Sequence, residues 1–255
     1  MADEQPLGHW FEDVADHLGG AYLRYSFTRG TDHEVAFLVD ALGLEPGARV
    51  LDVGCGPGRH ANALGHLGFE VVGVDISERF LEVARADAPR GVTYQRADAR
   101  ALPFHGTFDA AISICQGAFG LSGGPAASWA LPDHSRPIDP DLPVLEAMAR
   151  AVRPGGRIAL TAFSAYFQVR YLEDHDRFDA DAGVNLEHTS IRSEAGDQAD
   201  TELWTSCFTP RELRLLADRA GLAVEHLWSV TPGDYARRAP DVDHPEFLVI
   251  AGKPG

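Results

Sequence analysis

Lysine is almost missing from this chain. Of its 22 basic residues only one is lysine, Lys253, the third residue from the end of the 255. Pyridoxal-phosphate enzymes, Schiff-base aldolases and the phosphate loop G-x-x-x-x-G-K-[ST] all need a lysine in a pocket, so each lacks its central group here. Cysteine is scarce too: Cys55, Cys115 and Cys207 are too widely spaced for a C-x-x-C pair. That leaves no zinc ribbon or thioredoxin motif and argues for a reducing compartment without disulfides. The histidines have no metal spacing of the H-E-x-x-H kind, so no metal is expected. The start, Met-Ala-Asp-Glu-Gln, has neither the basic region nor the apolar stretch of a signal peptide, and no run of about 18 apolar residues occurs anywhere. The expectation is a soluble cytoplasmic protein.

Positive charge is short overall. Against 38 Asp and Glu the formal net charge is −16, the wrong sign for neutralising phosphates, so nucleic acid and anionic membrane surfaces are excluded as expected partners. A small-molecule partner is expected instead, with the chain a monomer or homodimer. With 45% hydrophobic residues, the length suits one large α/β domain that buries roughly three quarters of its unfolded surface.

From about residue 48 to 163, short apolar runs alternate with helix-like segments. Residues 49–53, 69–74, 92–95, 108–114 and 157–163 read as strands, and 58–66, 78–88 and 141–152 have helical spacing. Strands this apolar, joined by crossover helices, predict a doubly wound, mostly parallel sheet covered on both faces. Two more strands, near 224–230 and 246–251, bring the sheet to seven. Thr31-Asp-His-Glu34 fits a capping box that opens a helix through Leu42, and Thr209-Pro-Arg-Glu212 is a second box whose helix Gly221 ends. Residues 117–140 form a long Gly/Pro/Ser-rich loop. Residues 164–208 contain two runs of two-residue alternation, 184–192 and 201–208, which predict a small antiparallel insertion after the fifth strand. The chain thus divides into an N-terminal helical arm or lid (1–44), a core (45–163), the insertion (164–208) and a C-terminal helix with strands (209–255), all within a single domain.

The chemistry is concentrated in Val50-Leu-Asp-Val-Gly-Cys-Gly-Pro-Gly-Arg59. Glycines after a buried strand permit a tight turn and close backbone approach to a ligand at a helix N-terminus. A dinucleotide fingerprint G-x-G-x-x-G would place glycine where Arg59 stands, and Asp52 precedes the loop. A pyrophosphate would face that carboxylate, whereas a ligand with an amine or sulfonium would be favoured. Asp75 ends the second strand, 19 residues after Gly56, where α/β nucleotide sites place an acid for ribose hydroxyls. After the third strand, Asp98 can accept from an adenine amino group and Ala99 leaves room for the ring. The segment Phe108–Gln116 ends beside the glycine loop if the strand order reverses between the first and fourth strands.

Together these segments resemble the successive motifs of class I S-adenosylmethionine-dependent methyltransferases, in the family's order and spacing over residues 45–163. The residues concerned are Asp52-Val-Gly-Cys-Gly-Pro-Gly58, Val-Val-Gly-Val-Asp75, Arg96-Ala-Asp98, Phe108-Asp109 and Val152-Arg-Pro-Gly-Gly156. The resemblance implies a Rossmann-like fold whose last strand is antiparallel and inserted between the fifth and sixth. It also implies S-adenosylmethionine as cofactor, with Gly54 and Gly56 near its methionine part, Asp75 at the ribose, and Ile76, Asp98 and Ala99 at the adenine. Cys55 and Cys115 flank this site, and Gln116 stands where the family often has a methionine-contacting or substrate-facing residue. Gln116 departs from the Asn-Pro-Pro-Tyr type used on nucleobase and protein amide nitrogens.

The implied function is methyl transfer by in-line displacement to an O, N or C nucleophile of a small molecule. The alternatives are an NAD(P)-dependent oxidoreductase and a non-catalytic S-adenosylmethionine-binding protein. Short-chain reductases need Tyr-x-x-x-Lys, which the sole lysine, Lys253, cannot supply. Candidate bases are His60, Tyr166 and His105. Tyr22, Tyr25, Phe27 and Arg29 form an aromatic and basic stretch that is either a packed arm or a lid, in the latter case with Tyr25 at the cofactor and Arg29 pairing its carboxylate. Phe119, Trp129, Phe163, Tyr166, Phe167 and Trp204 are the expected apolar walls of the acceptor pocket, or else core beneath the insertion.

Overall fold

A computed structural model describes residues 8–122, 124 and 139–255. Its sheet is built from β1 (Arg49–Val53), β2 (Glu70–Asp75), β3 (Val92–Arg96), β4 (Phe108–Ser113), β5 (Val152–Ser164), β9 (Ala223–Thr231), β10 (Asp234–Arg238) and β11 (Glu246–Gly252). The spatial order is β10-β9-β11-β5-β4-β1-β2-β3. Strands β1 to β5 pair in parallel, and β11 lies antiparallel between β5 and β9. The order reverses at β1/β4, so the loops after these two strands meet over one crevice, as α/β sheets place their ligand sites.

Helices cover both faces because the strand side chains alternate. Leu51 and Val53 of β1 face a core shared with α5 (Leu142–Ala151) and α7 (Pro210–Arg219). Val50 faces the opposite core, shared with α2 (Thr31–Leu42) and α3 (Arg59–His66). Phe80 of α4 (Glu78–Ala86) packs against Val14, Ala15 and Leu18 of α1 (Phe11–Leu18). The insertion contains the short helix α6 (Ala165–Arg170) and the antiparallel strands β6 (Arg177–Asp179), β7 (Val184–Arg192) and β8 (Gln198–Phe208). The end of β8 also extends the end of β5 in parallel at Phe163 and Ser164.

Several elements differ from expectation. The sheet gains an eighth strand, β10, which turns back on β9 through Gly233, at φ 81°. β5 begins at Val152 rather than 157, with a register shift against β4 between Phe108 and Ala110. The box at Thr209 forms with both of its hydrogen bonds. The one at Thr31 does not: the helix already includes Thr31, whose hydroxyl donates to the Thr28 carbonyl, and Gly30 is the cap.

Glu34 is the reason. Its carboxylate turns inward, fully buried, instead of reaching back to the helix start. Oε2 accepts from Arg59 Nη1 at 2.5 Å and from His60 Nε2 at 2.8 Å, while Oε1 accepts from the Gly233 amide at 2.8 Å. Burial alone would raise the Glu34 pKa, but His60, Arg59 and the Gly233 amide outweigh it and bring it down to about 2. Glu34 therefore ties α2, α3 and the β9–β10 turn to one point. Glu34→Gln is expected to destabilise the fold by about 3–5 kcal/mol in urea unfolding, because Arg59 is then left buried without a counter-charge. Thr209→Ala, at an exposed cap, is expected to cost only about 1 kcal/mol. Because the Glu34 pKa is depressed, its contribution is complete above the ordinary value of 4.5 and is lost as the pH falls through about 2.

Candidate active site

The floor of the crevice is a crossing of two backbones. Gly54 has φ 70°, and a Cβ there would lie 2.0 Å from the Gly117 carbonyl carbon. A Cβ on Gly117 would in turn lie 2.2 Å from the Gly54 oxygen. Both positions therefore exclude any side chain. The turn that brings Gly117 there is strained, since Cys115 and Gln116 adopt φ 54° and 50°, a region costing non-glycine residues on the order of 1–3 kcal/mol each. A hydrogen bond from the Cys115 amide to Thr161 Oγ1, 2.7 Å, holds this turn against β5.

Of the three expected acids, Asp75 and Asp98 line the crevice, whereas Asp52 is buried behind its lining. Asp75 is 5% exposed, and its two oxygens accept from the Gly56 and Ser77 amides, each at 2.8 Å. Burial raises its pKa to about 6 in spite of these bonds. Each carboxylate oxygen retains acceptor capacity for a hydroxyl in the cavity. Asp52 is buried with Oδ2 unpartnered, and burial raises it to about 7. At Gly56, φ 54°, the space beyond a hypothetical Cβ is open up to Phe80 at 3.9 Å. A buried orphan oxygen, a pre-positioned acid and a side-chain-free loop edge fit a ligand that offers hydroxyl and amine donors.

A cavity of about 310 Å³ is lined by Gly54, Gly56 and Asp75 as well as by Gln116, Phe163 and Glu246. A narrower slot of about 40 Å³ shares Gly54 and Asp75 and is bounded by Ile76, Asp98 and Ala99. The N-terminal arm covers both. Trp10 and Phe11, with Tyr22 and Phe27, line the larger cavity. Trp10 Nε1 donates to the Leu121 carbonyl at 3.1 Å, and Arg96 at the end of β3 binds Glu12 of α1 at 2.7 Å. Asp98 is engaged by Arg100, whose hydrogen bonds and charge outweigh burial and lower its pKa.

Other expected residues lie elsewhere. His60 is buried and bound to Glu34 and lines neither space; burial, with Arg59 beside it, lowers its pKa to about 4, so it is neutral. Tyr166 is 47% exposed on α6, and His105 is exposed before β4, at the opposite end of that strand from the crevice. Arg29 is exposed, and Tyr25 lines a separate cleft with Arg24 and Arg192. The guanidinium near the crevice is instead Arg59, whose Nη2 contacts Cys115 Sγ at 2.7 Å. Cys55 contributes its backbone to the loop, but its thiol lies under Gly73 and Tyr94, and Cys115 lines the cavity; burial pushes both thiols well up. Of the expected walls only Phe163 lines the cavity. Phe119 stacks on Phe208 in the core, Phe167 packs on Tyr171, and Trp204 packs with Val184 and Leu186. Trp129 lies outside the described residues.

The residue not foreseen is Glu246, 2% exposed at the start of β11. Burial raises it to about 7, with Glu34 adding to the rise and Gln116 and Arg59 opposing it. Its sequence context, Pro-Glu-Phe before an apolar run, reads only as the start of a strand.

Comparison with known proteins agrees with this geometry. The family described as methyltransferase domain matches residues 50–123. The ubiquinone/menaquinone biosynthesis C-methyltransferase of Teredinibacter turnerae is 36% identical over 189 residues, covering 64% of this chain and 68% of that protein. The demethylmenaquinone methyltransferase of Renibacterium salmoninarum is 32% identical over 127 residues, 50% of this chain and 46% of its own. The chain spans about half the length of several curated relatives it matches. Among solved structures, the CcbJ methyltransferase from Streptomyces caelestis superposes with a TM-score of 0.71 over 99% of this chain and 100% of its own, at 23% identity, a likeness of fold. The fold and site define a Rossmann-like α/β protein with a crevice at the β1/β4 switch point. The chain belongs to the class I S-adenosylmethionine-dependent methyltransferase family. No helix among the described residues is long and apolar enough to cross a membrane.

Several buried carboxyls are raised, and the two raised to about 7, Asp52 and Glu246, make stability depend on pH. Asp52 and Glu246 keep their protons to about pH 7 in the folded state but lose them near 4 when unfolded, so the folded state binds more protons in between. Their contribution is full below about pH 4 and is lost as the pH rises through about 7. Thermal unfolding between about pH 5 and 8 should show a melting temperature that falls less steeply in Asp52→Asn than in the parent.

Proposed function

We propose that this chain transfers a methyl group from S-adenosylmethionine to a small-molecule acceptor by in-line displacement. The observation that carries this reading is the continuity of one cavity from Asp75 and the glycine loop to Phe163 and Glu246. Cofactor and acceptor would share a single enclosed space. When bound, the cofactor supplies an electrophilic methyl group on a sulfonium. Asp75 would hold the ribose hydroxyls, with Ile76, Asp98 and Ala99 around the adenine. Gly54, Gly56 and Asp52 would stand at the methionine end, beside the backbone of Cys55, Cys115 and Gln116. Trp10, Phe11 and Tyr22 would close over the site and exclude water.

Such a site works mainly by alignment. Holding two reactants in attack geometry supplies on the order of 7–11 kcal/mol, against roughly 3–5 kcal/mol for a general base. The menaquinone methyltransferases among the relatives are named for small molecules, which supports an acceptor of that size. The dinucleotide reading finds no support: Lys253 binds the Val152 carbonyl at the start of β5, at the opposite end of the sheet from the crevice.

Calorimetry with S-adenosylhomocysteine tests the cofactor assignment. One site per chain is expected, weakened by about tenfold or more in Asp75→Asn, which leaves a ribose hydroxyl without its charged acceptor. NADH should not compete. Absence of S-adenosylhomocysteine binding, or competition by NADH, would sink the reading.

A further inference from the structure

The acceptor end of the cavity holds a carboxylate with no counter-charge. Glu246 and Asp75 sit on the same edge of the sheet, on β11 and β2, four strand spacings or about 19 Å apart. Glu246 thus lies well away from the acid at the nucleoside end. Its nearest strand neighbours are Phe163 of β5 and Val230 of β9. Although it is 2% exposed and lines the cavity, its Oε2 has no hydrogen-bond partner; nor does Nε2 of Gln116, on the turn after β4. The orphaned acceptor, Glu246 Oε2, indicates a ligand donor that satisfies it, since a buried unpaired polar atom costs about 1–3 kcal/mol.

The surroundings select the charge of that group. Trp10, Phe11, Tyr22, Phe27, Phe80 and Phe163 line the cavity, and among the described residues no lysine or arginine does. Aromatic faces and a buried carboxylate attract a cation and disfavour an anion. The charged and titratable groups that face Glu246 from adjoining elements are Glu34 on α2, Arg59 on α3, Cys115 after β4, Tyr235 on β10 and Tyr22 of the N-terminal arm. Arg59 is already committed to Glu34 and to Cys115 Sγ, so it does not neutralise Glu246.

We infer that the acceptor subsite takes a protonated amine, and that Glu246 both holds this ammonium and receives its proton. This rests on the methyltransferase reading. Glu246 takes one proton from the ammonium onto its carboxylate. The lone pair so freed forms the bond from nitrogen to the methyl carbon, while the carbon–sulfur bond breaks and its electron pair stays on sulfur. The product is a methylated ammonium, a thioether and a protonated Glu246, which returns its proton to water when the product leaves. A Glu246 pKa of about 7 suits a group that alternates between these states.

The test uses the full chain, saturated with S-adenosylhomocysteine, and two matched probes, 2-phenylethylammonium and 2-phenylethanol. The ammonium is expected to bind about tenfold tighter, the increment of one charge-assisted hydrogen bond. At about pH 6, where Glu246 is protonated, its binding should release about one proton, read by calorimetry in buffers of different ionisation enthalpy. Glu246→Gln should abolish both the preference and the proton release without changing S-adenosylhomocysteine affinity, which also shows that the variant is folded. Glu246→Asp should restore part of the preference. Equal binding of the two probes, failure of the parent to bind the ammonium, or a preference that survives in Glu246→Gln would overturn the inference. So would a parallel loss of S-adenosylhomocysteine affinity, which would assign the carboxylate to the ammonium of the cofactor itself. Ammonium selectivity in a chain that binds no S-adenosylhomocysteine would uphold the subsite and overturn the methyltransferase reading instead.

Discussion

The buried contact between Glu34 and Arg59 is the constraint from which the geometry of the crevice follows. Arg59 is the first residue of α3, directly after the glycine loop, so fixing its guanidinium fixes where the loop ends. Glu34 reaches the same guanidinium from α2, and its other oxygen takes the Gly233 amide. Gly30, at the head of α2, packs so closely on Gly233 that a Cβ would lie 2.1 Å from its Cα. Three segments far apart in sequence therefore meet at one carboxylate. The cost of burying the pair is offset by further hydrogen bonds: Glu34 also accepts from His60 and the Gly233 amide, and Arg59 also donates to Thr31 and Cys115. Arg59 also reaches Cys115 Sγ, which links this cluster to the strained turn beneath the cavity.

That turn shows where the fold accepts local cost. Consecutive left-handed residues at Cys115 and Gln116 are unfavourable alone, yet they carry Gly117 under Gly54 and present Gln116 to the cavity. The Thr161 hydrogen bond and the packing of β4 against β5 hold them in place. Strain of this sort persists where surrounding structure over-determines the backbone, commonly at ligand sites. The carboxyls follow the same logic. Asp52 and Glu246 are buried with an unpartnered oxygen each and are pushed toward neutrality, a condition that a folded core disfavours unless a ligand completes it.

The half of the crevice around Asp75 and the glycine loop was legible because its determinants are local. Asp75 ends an apolar run, and Gly54 and Gly56 follow another; strand ends with glycines translate into position with few alternatives. The half around Glu246 was not legible, for two physical reasons. Its walls come from Phe11 and Phe80, on helices, and from Trp10 at the cap of α1, places where an aromatic residue serves core and pocket equally well. Its one carboxylate, Glu246, faces the cavity only because β11 inserts between β5 and β9. Glu34 misled for a related reason: Thr-x-x-Glu spacing fits a capping box, but a buried arginine on the next helix offers a carboxylate more than its own backbone does.

Periodicity, strand apolarity and the order of the glycine and acidic motifs determined the doubly wound sheet, the crevice at its switch point and the family. These features follow from residues near one another in sequence, where backbone sterics and burial leave little choice. The shortage of lysine likewise excluded whole chemistries, because no fold can supply a missing functional group. Tertiary structure alone decided which side chains enclose the cavity. It placed His60 in a buried cluster, left Arg29 in solvent, and brought Glu246 beside Gln116, 130 positions away by residue number. Such meetings depend on how strands are ordered and how helices dock, and those are settled by contacts among residues far apart in the chain.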